Sequence, residues 1–276
     1  MTIMAKRSKL ALKILLAGIF SYISGLTFLI NMDDPSFEDK SVKVMSAEEI
    51  EDLGFEQIYS STPASFKMRD GARLASQRFE YNSDLSVIVV HGILTSGYTY
   101  NRFAGLIREA AKAEVYTIDL RGHGESDGRR GDVDYIGQYV DDLTNVVQEI
   151  RQRKPNGKII LAGHSMGGGI SLLYAMQDSA PSIDGYLLFA PLLGDNSPTS
   201  LTPNDEPRKQ DEPFMKIHLP RIIGLALMNS MGIRNWNDLP VFFFNVPESS
   251  PVTEYTFRSS ASMSPTDYKK KIVFGQ

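Results

Sequence analysis

Apolar residues along this chain form short continuous runs that alternate with segments of helical spacing. The runs lie at residues 86–90, 115–120, 158–162 and 186–189. Runs of this length are typical of strands that are buried on both faces of a parallel sheet. Apolar positions three and four apart, which predict helices, occupy residues 100–113, 136–153 and 168–177. This alternation predicts an α/β fold with a mostly parallel sheet and helices on both faces.

The pattern differs on either side of this alternating region. Before it, residues 66–81 contain two β-type runs around Asp70-Gly71, a dipeptide that predicts a two-residue hairpin turn because both positions tolerate positive φ. After it, residues 196–213 are rich in Pro, Ser, Asn and charge, and residues 214–245 are irregularly apolar. We expect this later part to be an insertion over the sheet rather than another regular βα unit.

The N-terminal segment has the pattern of a membrane helix or a signal peptide. Lys6, Arg7, Lys9 and Lys13 precede the uncharged residues 14–30, which are at the lower limit of length for crossing the hydrocarbon core. The basic flank predicts a cytoplasmic N-terminus and an extracytoplasmic main domain. Three interpretations are open: a signal-anchor helix, a cleaved signal peptide that would leave a secreted or periplasmic protein, and a helix of the domain. The lack of a small-x-small cleavage site directly after this run favours the anchor.

Composition narrows the class of protein. Hydrophobic residues make up 42% of the chain and charged residues 22%, which indicates a globular protein with a sizeable core. The net charge of −4 and the lack of a basic stripe argue against a nucleic-acid partner. The sequence contains no cysteine, which excludes disulfides, thiolate metal sites, a cysteine nucleophile and a lipid anchor attached through cysteine.

The strongest chemical signal is the pentapeptide Gly163-His164-Ser165-Met166-Gly167. It lies between a predicted buried strand and a predicted helix, a context in which G-x-S-x-G places a serine hydroxyl on a tight turn clear of the backbone. We expect both glycines to be required because the strand and helix leave no room for a Cβ. The helix offers its positive N-terminal end to a developing anion. Ser165 is therefore the candidate nucleophile, and a glycine-rich turn that serves packing alone is the alternative.

A second motif, His91-Gly92-Ile93, follows the first parallel strand. Acyl transfer needs two N–H groups directed at the tetrahedral oxyanion, and losing one of them typically costs about 3 kcal/mol of barrier. We expect the backbone N–H groups of Ile93 and Met166 to form this oxyanion hole. We interpret the His91 imidazole as a loop side chain without a chemical role.

A third motif, residues 119–126 (DLRGHGES), closes the next strand. Its glycines permit a sharp turn, and Asp119 and Arg121 can pair or cap locally. We interpret this motif as structural and expect it to shape the floor beside the site. His123 and His164 are interpreted as packing or hydrogen-bonding residues rather than proton carriers.

The segments VVHGILTSGYTYNRFA, VYTIDLRGHGESDGRRGDV and LAGHSMGGG, with Asp142-Leu143 between the last two, resemble the monoacylglycerol lipase and lysophospholipase branch of the α/β-hydrolases, the serine aminopeptidase-like group. The resemblance covers residues 66–193 in order. It implies an eight-stranded sheet with a mobile cap and serine-dependent hydrolysis of an ester of a fatty acid or similar acyl group. It implies no metal and no organic cofactor. Peptides and small esters stay open as substrates, whereas haloalkane- or epoxide-type chemistry is disfavoured because those enzymes use an aspartate at the position of Ser165.

The sequence does not identify the base and the acid that a catalytic triad needs beside Ser165. The resemblance implies an Asp or Glu and then a His after the nucleophile, but the four histidines are His91, His123, His164 and His218. One explanation is a truncated hydrolase whose C-terminal strands, acid and histidine are missing. A second takes Asp195 as the acid and His218 as the base. A third is a chain that keeps the fold for lipid binding without catalysis.

The pattern divides the chain into five expected parts. They are a signal-anchor or signal peptide at 1–31, a linker at 32–60, an α/β-hydrolase core at 61–195, a cap at 196–260 and the start of an incomplete core segment at 261–276. The expected partners are a lipid-like ester and, through the N-terminal segment, a membrane. The sequence does not indicate an oligomeric state.

Overall fold

The structure is a computed structural model, and it describes residues 2–37, 58–194 and 213–266. The helices are α1 (Thr2–Ile30), α2 (Asn101–Ala111), α3 (Gln138–Arg153), α4 (Met166–Ala175), α5 (Leu219–Ser230) and α6 (Phe257–Ala261). The strands are β1 (Thr62–Lys67), β2 (Arg73–Phe79), β3 (Leu85–Val90), β4 (Glu114–Ile118), β5 (Lys158–His164), β6 (Gly185–Phe189), β7 (Met215–Ile217), β8 (Pro240–Phe244) and β9 (Glu254–Thr256). A short 3₁₀ helix, Gly97–Tyr100, precedes α2.

The larger of two sheets has the strand order β1-β2-β4-β3-β5-β6. Strands β3, β4, β5 and β6 pair in parallel, whereas β1 with β2 and β2 with β4 pair antiparallel. The predicted strands and helices of the alternating region are all present. The structure thereby confirms the mostly parallel α/β sheet.

Helices cover both faces of this sheet because side chains of the central strand alternate between two cores. Val87 and Val89 of β3 pack with Ala104 of α2. Ile88 and Val90 belong instead to the larger core, which includes α3 and α4. Successive side chains of a strand point to opposite faces, so a continuous apolar run supplies both cores.

The hairpin between β1 and β2 differs from the predicted two-residue turn. The last ladder pair is Lys67 with Arg73, and the Met68 N–H then donates to the Ala72 carbonyl at 2.8 Å, which leaves a three-residue loop. Within this loop, only Gly71 has a positive φ, of 90°. Asp70 stays at negative φ, and a single left-handed glycine after a turn is the usual arrangement of three-residue loops.

A smaller sheet, with the order β7-β8-β9, lies after the main sheet in sequence and packs with α5. Tyr255 of β9 and Phe244 of β8 belong to the same buried core as Val90 and Ile118 of the main sheet. This second sheet therefore shares a core with the main sheet. We use "cap" below for residues 213–256.

Helix α1 is long and apolar enough over Leu12–Ile30 to cross a membrane, by length and composition. Its C-terminal end is not separate from the rest of the fold: Leu26 and Ile30 are buried against Leu225 and Met228 of α5. The sequence pattern gave no indication of this contact.

Candidate active site

Ser165 is the single residue between β5 and α4, and its backbone is in the left-handed region with φ of 50°. A positive φ is strained for a residue with a side chain and is usually maintained by surrounding contacts. Here the Ser165 N–H donates to the Phe189 carbonyl at 3.0 Å, and the Leu192 N–H donates to the Ser165 carbonyl at 2.8 Å. These bonds fix the turn against the end of β6 and leave the Ser165 side chain partly exposed.

The two glycines of the pentapeptide are required by close packing. A Cβ on Gly163 would lie 2.6 Å from the Ser171 hydroxyl oxygen. A Cβ on Gly167 would collide with the Val90 carbonyl oxygen and lie 2.7 Å from that of His91. The start of α4 therefore lies directly on the end of β3, next to the loop that carries Ile93.

In that loop, the N–H groups of Gly92 and Leu94, the residues before and after Ile93, both donate hydrogen bonds. The Gly92 N–H donates to the Tyr100 hydroxyl at 3.0 Å, and the Leu94 N–H donates to the Tyr255 hydroxyl at 2.9 Å. Among the residues that the structure describes, the N–H of Ile93 has no acceptor. The Met166 N–H, at the first position of α4, likewise has none within that part of the chain. Two donors of the expected type are thus available beside residues 163–167, which we call the elbow below.

Tyr100 and Tyr255 were missed by the sequence reasoning. The Tyr100 hydroxyl also lies 2.7 Å from Nδ1 of His164, so it joins the Gly92 loop to the elbow. The Tyr255 hydroxyl also lies 2.8 Å from Nε2 of His123. Tyr100 lies in the segment VVHGILTSGYTYNRFA, so the sequence resemblance could have indicated it. Tyr255 lies in the three-residue strand β9, which is part of no recognised motif.

His91 and His123 are buried and serve the structure, as predicted. Burial lowers the pKa of His91 to about 4 and that of His123 to about 3, because the charged imidazole would lose its water. Nδ1 of His91 bonds the Gly92 carbonyl at 2.7 Å, and its Nε2 accepts from the Leu120 N–H at 3.0 Å. Both rings are neutral at physiological pH and have no ring nitrogen free for a substrate.

His218 does not act as the base in this structure, which contradicts one of the explanations above. It is 3% exposed, and its Nδ1 accepts from the Arg221 N–H at 3.2 Å. Its Nε2 donates to the Met32 carbonyl at 3.0 Å. Nδ1 is therefore engaged at the start of α5 and Nε2 just after the end of α1. Asp195, the acid in that explanation, lies outside the described residues.

The 119–126 motif is structural, as expected. The Asp119 carboxylate accepts from the Gly97 N–H at 2.6 Å and from the Glu125 N–H at 2.8 Å. Arg121 pairs elsewhere: its guanidinium makes two bonds to the Asp142 carboxylate, at 2.9 and 2.8 Å, in a buried ion pair. The motif thus ties β4 to the loop before α2 and to α3.

An apolar cavity of about 490 Å³ lies between α2 and the main sheet. His164 and Tyr100 form part of its wall, together with Val89, Phe103 and Phe189. Ser165 is not one of its lining residues. The cavity therefore lies beside the elbow, on the face of the sheet where α2 packs.

Comparison with known proteins gives a family for this chain. The Hydrolase_4 family model, described as serine aminopeptidase S33, matches residues 81–224, just over half of the chain. Monoacylglycerol lipase from Mycolicibacterium smegmatis is 32% identical over 116 residues, which cover 39% of this chain and 41% of that protein. Ethanol acetyltransferase 1 from Cyberlindnera fabianii is 31% identical over 162 residues, which cover 52% of this chain and 46% of that protein.

A solved structure, the α/β hydrolase GrgF from Penicillium sp. sh18, is 18% identical with a TM-score of 0.47, over 74% of this chain and 73% of that chain. The chain spans less than half the length of the two sequence relatives. On the family match, the chain belongs to the serine aminopeptidase S33 family of α/β-hydrolases, in the branch that includes monoacylglycerol lipases.

Proposed function

We propose that this chain carries the nucleophile and oxyanion hole of a serine hydrolase that cleaves carboxylic esters of lipids. The observation that carries the proposal is the backbone of Ser165, which has φ of 50° between a parallel strand and a helix. A strained turn of this kind presents the hydroxyl above the sheet. The N–H groups of Ile93 and Met166, which have no acceptor among the described residues, support the same assignment.

In the proposed reaction the Ser165 oxygen attacks the ester carbonyl carbon, and the carbonyl oxygen becomes an oxyanion. The N–H groups of Ile93 and Met166 stabilise that charge, aided by the N-terminal end of α4. The alcohol then leaves, and water hydrolyses the acyl-serine to the free acid. The Ser165 proton needs a base, and within residues 2–37, 58–194 and 213–266 no histidine is hydrogen-bonded to that hydroxyl. The assignment is therefore confined to the nucleophile and the two N–H donors.

The proposed substrate class is a monoacylglycerol- or lysophospholipid-like ester. Its support is the family and the Mycolicibacterium smegmatis relative, whose name gives monoacylglycerol as its substrate. The apolar helix α1 supports a membrane tether that would hold the domain near such lipids on the extracytoplasmic side.

The test is release of fatty acid from 1-monooleoylglycerol in mixed micelles by the full chain. We expect Ser165→Ala to abolish release and Ser182→Ala, at an exposed serine before β6, to retain it. Release that is equal in Ser165→Ala and in the unaltered chain would refute the proposal. A choline lysophospholipid in the same assay separates the two lipid classes.

The alternative is an acyl-binding module without turnover. The observation that favours it is the engagement of the ring nitrogens of His91, His123 and His218 away from Ser165. This alternative predicts saturable binding of the monoacylglycerol, no acid release and no reaction of Ser165 with an active-site phosphonylating reagent.

A further inference from the structure

A buried arginine of the cap, Arg221, caps the C-terminal end of α1. Arg221, in the first turn of α5, is 5% exposed. Its guanidinium donates to the carbonyl oxygens of Ile30 at 2.8 Å and of Met32 at 3.2 Å. It also pairs with the Asp34 carboxylate at 2.6 Å and donates to the Pro240 carbonyl at 2.7 Å. Because the last carbonyls of a helix lack partners within it, Arg221 caps α1.

Apolar side chains extend this contact along both helices. Leu26 and Ile30 of α1 pack with Leu225 and Met228 of α5, and all four are at most 3% exposed. The helices approach closely at Gly224, where a Cβ would lie 2.7 Å from Cγ2 of Ile30. A small residue at the point of closest approach is typical of helix pairs in membranes.

These contacts indicate that α1 is retained rather than cleaved. Of the four groups that accept from the Arg221 guanidinium, only the Pro240 carbonyl lies outside residues 30–34. A cut directly after the helix would remove the Ile30 carbonyl and uncover Leu225 and Met228. Loss of one acceptor of a buried cation, together with exposure of two buried apolar side chains, is unfavourable, so the fold of the cap depends on this segment.

The side of α5 that is not covered by α1 or by the cap sheet is apolar. Leu219, Ile223 and Leu227 are 58%, 45% and 38% exposed, and their spacing of four places them on one side of the helix. The one charged residue of α5 is Arg221, which is buried. Trp236, the single tryptophan of the chain, is 41% exposed shortly after α5. Exposed apolar stripes of this kind are rare on surfaces that face water.

The position of this stripe relative to α1 indicates what covers it. The candidate membrane span Leu12–Ile30 ends where α1 packs on α5, so the stripe lies beside the end of the span. Phe28, in the same turns of α1, is 69% exposed. A helix alongside the end of a span lies at the border between hydrocarbon and headgroups, where tryptophan is also enriched.

We propose that α1 stays on the mature chain and that the apolar side of α5 is inserted in the same bilayer, so that α1 and the cap form one membrane-bound unit. This proposal rests on the membrane tether of the proposed function but not on the chemistry of Ser165. Insertion of both helices would fix the orientation of the cap relative to the bilayer. A flexible tether would leave that orientation unconstrained.

The test uses the lack of native cysteine. Two full-length variants, Ile223→Cys on the stripe and Gln148→Cys on the exposed side of α3, are labelled with a nitrobenzoxadiazole fluorophore and reconstituted in phosphatidylcholine vesicles. We expect the label at 223 to shift its emission to the blue and to be quenched at least two-fold by lipids with nitroxide-bearing acyl chains. The label at 148 should show neither change. Equal, water-like emission at both positions would overturn the insertion of α5.

The same preparations test the retention of α1. The intact mass of chain extracted from membranes should include residues 1–31, and a mass that lacks them would overturn the proposal. Flotation with vesicles is recorded for each variant, and a chain that does not float refutes the tether together with this proposal. Fatty acid release through Ser165 is measured separately, so failure of the chemistry and failure of the membrane unit are distinguishable.

Discussion

The Leu94 N–H donates a hydrogen bond to the Tyr255 hydroxyl at 2.9 Å, although the two residues are 161 positions apart. Leu94 has φ of 60°, and Tyr255 is fully buried in the cap. The same hydroxyl bonds Nε2 of His123. Ile93, a proposed oxyanion donor, directly precedes Leu94, so a cap strand helps to fix the loop on which the proposed chemistry depends.

We therefore expect Tyr255→Phe to slow the reaction of Ser165. Without the hydroxyl the loop loses one bond, and misplacement of an oxyanion donor should lower the rate of phosphonylation about ten-fold, less than the complete loss of a donor. The rate constant for reaction with a fluorophosphonate measures this effect. Tyr174→Phe is the control, since the Tyr174 hydroxyl is bonded to the Pro181 carbonyl and lies away from the loop. Both variants should lose about 1 kcal/mol of stability. Equal labelling rates would show that Tyr255 does not position the loop.

The elbow should not tolerate a methyl group. Gly167→Ala places a Cβ against the carbonyl oxygens of Val90 and His91, and overpacking of this kind typically costs about 1 to 3 kcal/mol. We expect a lower urea midpoint and loss of Ser165 labelling. Gly25→Ala, in α1, is the control because a Cβ there meets nothing within 4 Å. A Gly167→Ala protein with unchanged midpoint and labelling would contradict the observed packing of α4 on β3.

Stability should decrease as the pH falls from about 6.5 towards 4. His91 and His123 have folded-state pKa values of about 4 and about 3, below the value of 6.5 for a free histidine. Between those values the unfolded chain binds more protons than the folded one, so acid favours unfolding by about 1.4 kcal/mol per pH unit for each histidine. Urea unfolding at pH 7, 6 and 5 tests this.

The pKa values of the paired carboxylates Glu114 and Asp132 are lowered by their hydrogen bonds to Lys154 and Arg258, so these groups keep their charge further into acid than free carboxylates do. A stability that does not change between pH 7 and 5 would contradict the burial of neutral His91 and His123.

The pair of Arg121 and Asp142 should contribute far more than ion pairs at the surface. Both side chains are almost fully buried, and deletion of one partner of such a pair typically costs about 3 to 5 kcal/mol. We expect Asp142→Ala to lower the free energy of unfolding by an amount in this range. Asp134→Ala is the matched control, since Asp134 pairs with Arg129 at an exposed position and should change stability by less than about 1 kcal/mol. Similar losses in the two variants would argue against the buried pair.

The sequence was sufficient to predict the main sheet because its strands are continuous apolar runs that supply two cores. The elbow was also predictable, since Gly163, Ser165 and Gly167 form a local pattern whose packing requirements hold in the structure. The hairpin loop was predicted with the wrong length, because Asp70-Gly71 permits a two-residue turn but does not require one.

Contacts between distant parts of the chain were not predictable from pattern. Strand β9 has three residues, too few for a periodic signal, and Tyr255 reaches the Leu94 loop only through the tertiary fold. The capping of α1 by Arg221 joins residues 191 positions apart. His218 shows the same limit: its position in the sequence permitted a role as base, and only its two hydrogen bonds show that it is structural.

The most direct test of the account is covalent labelling of the full chain by a fluorophosphonate, followed by mass-spectrometric mapping of the modified residue. We expect one phosphonylated site, Ser165, and no labelling in the Ser165→Ala variant. Modification of a different residue, or a Ser165 that reacts no faster than it does in the urea-unfolded chain, would contradict the proposal that this turn presents the nucleophile beside an oxyanion hole.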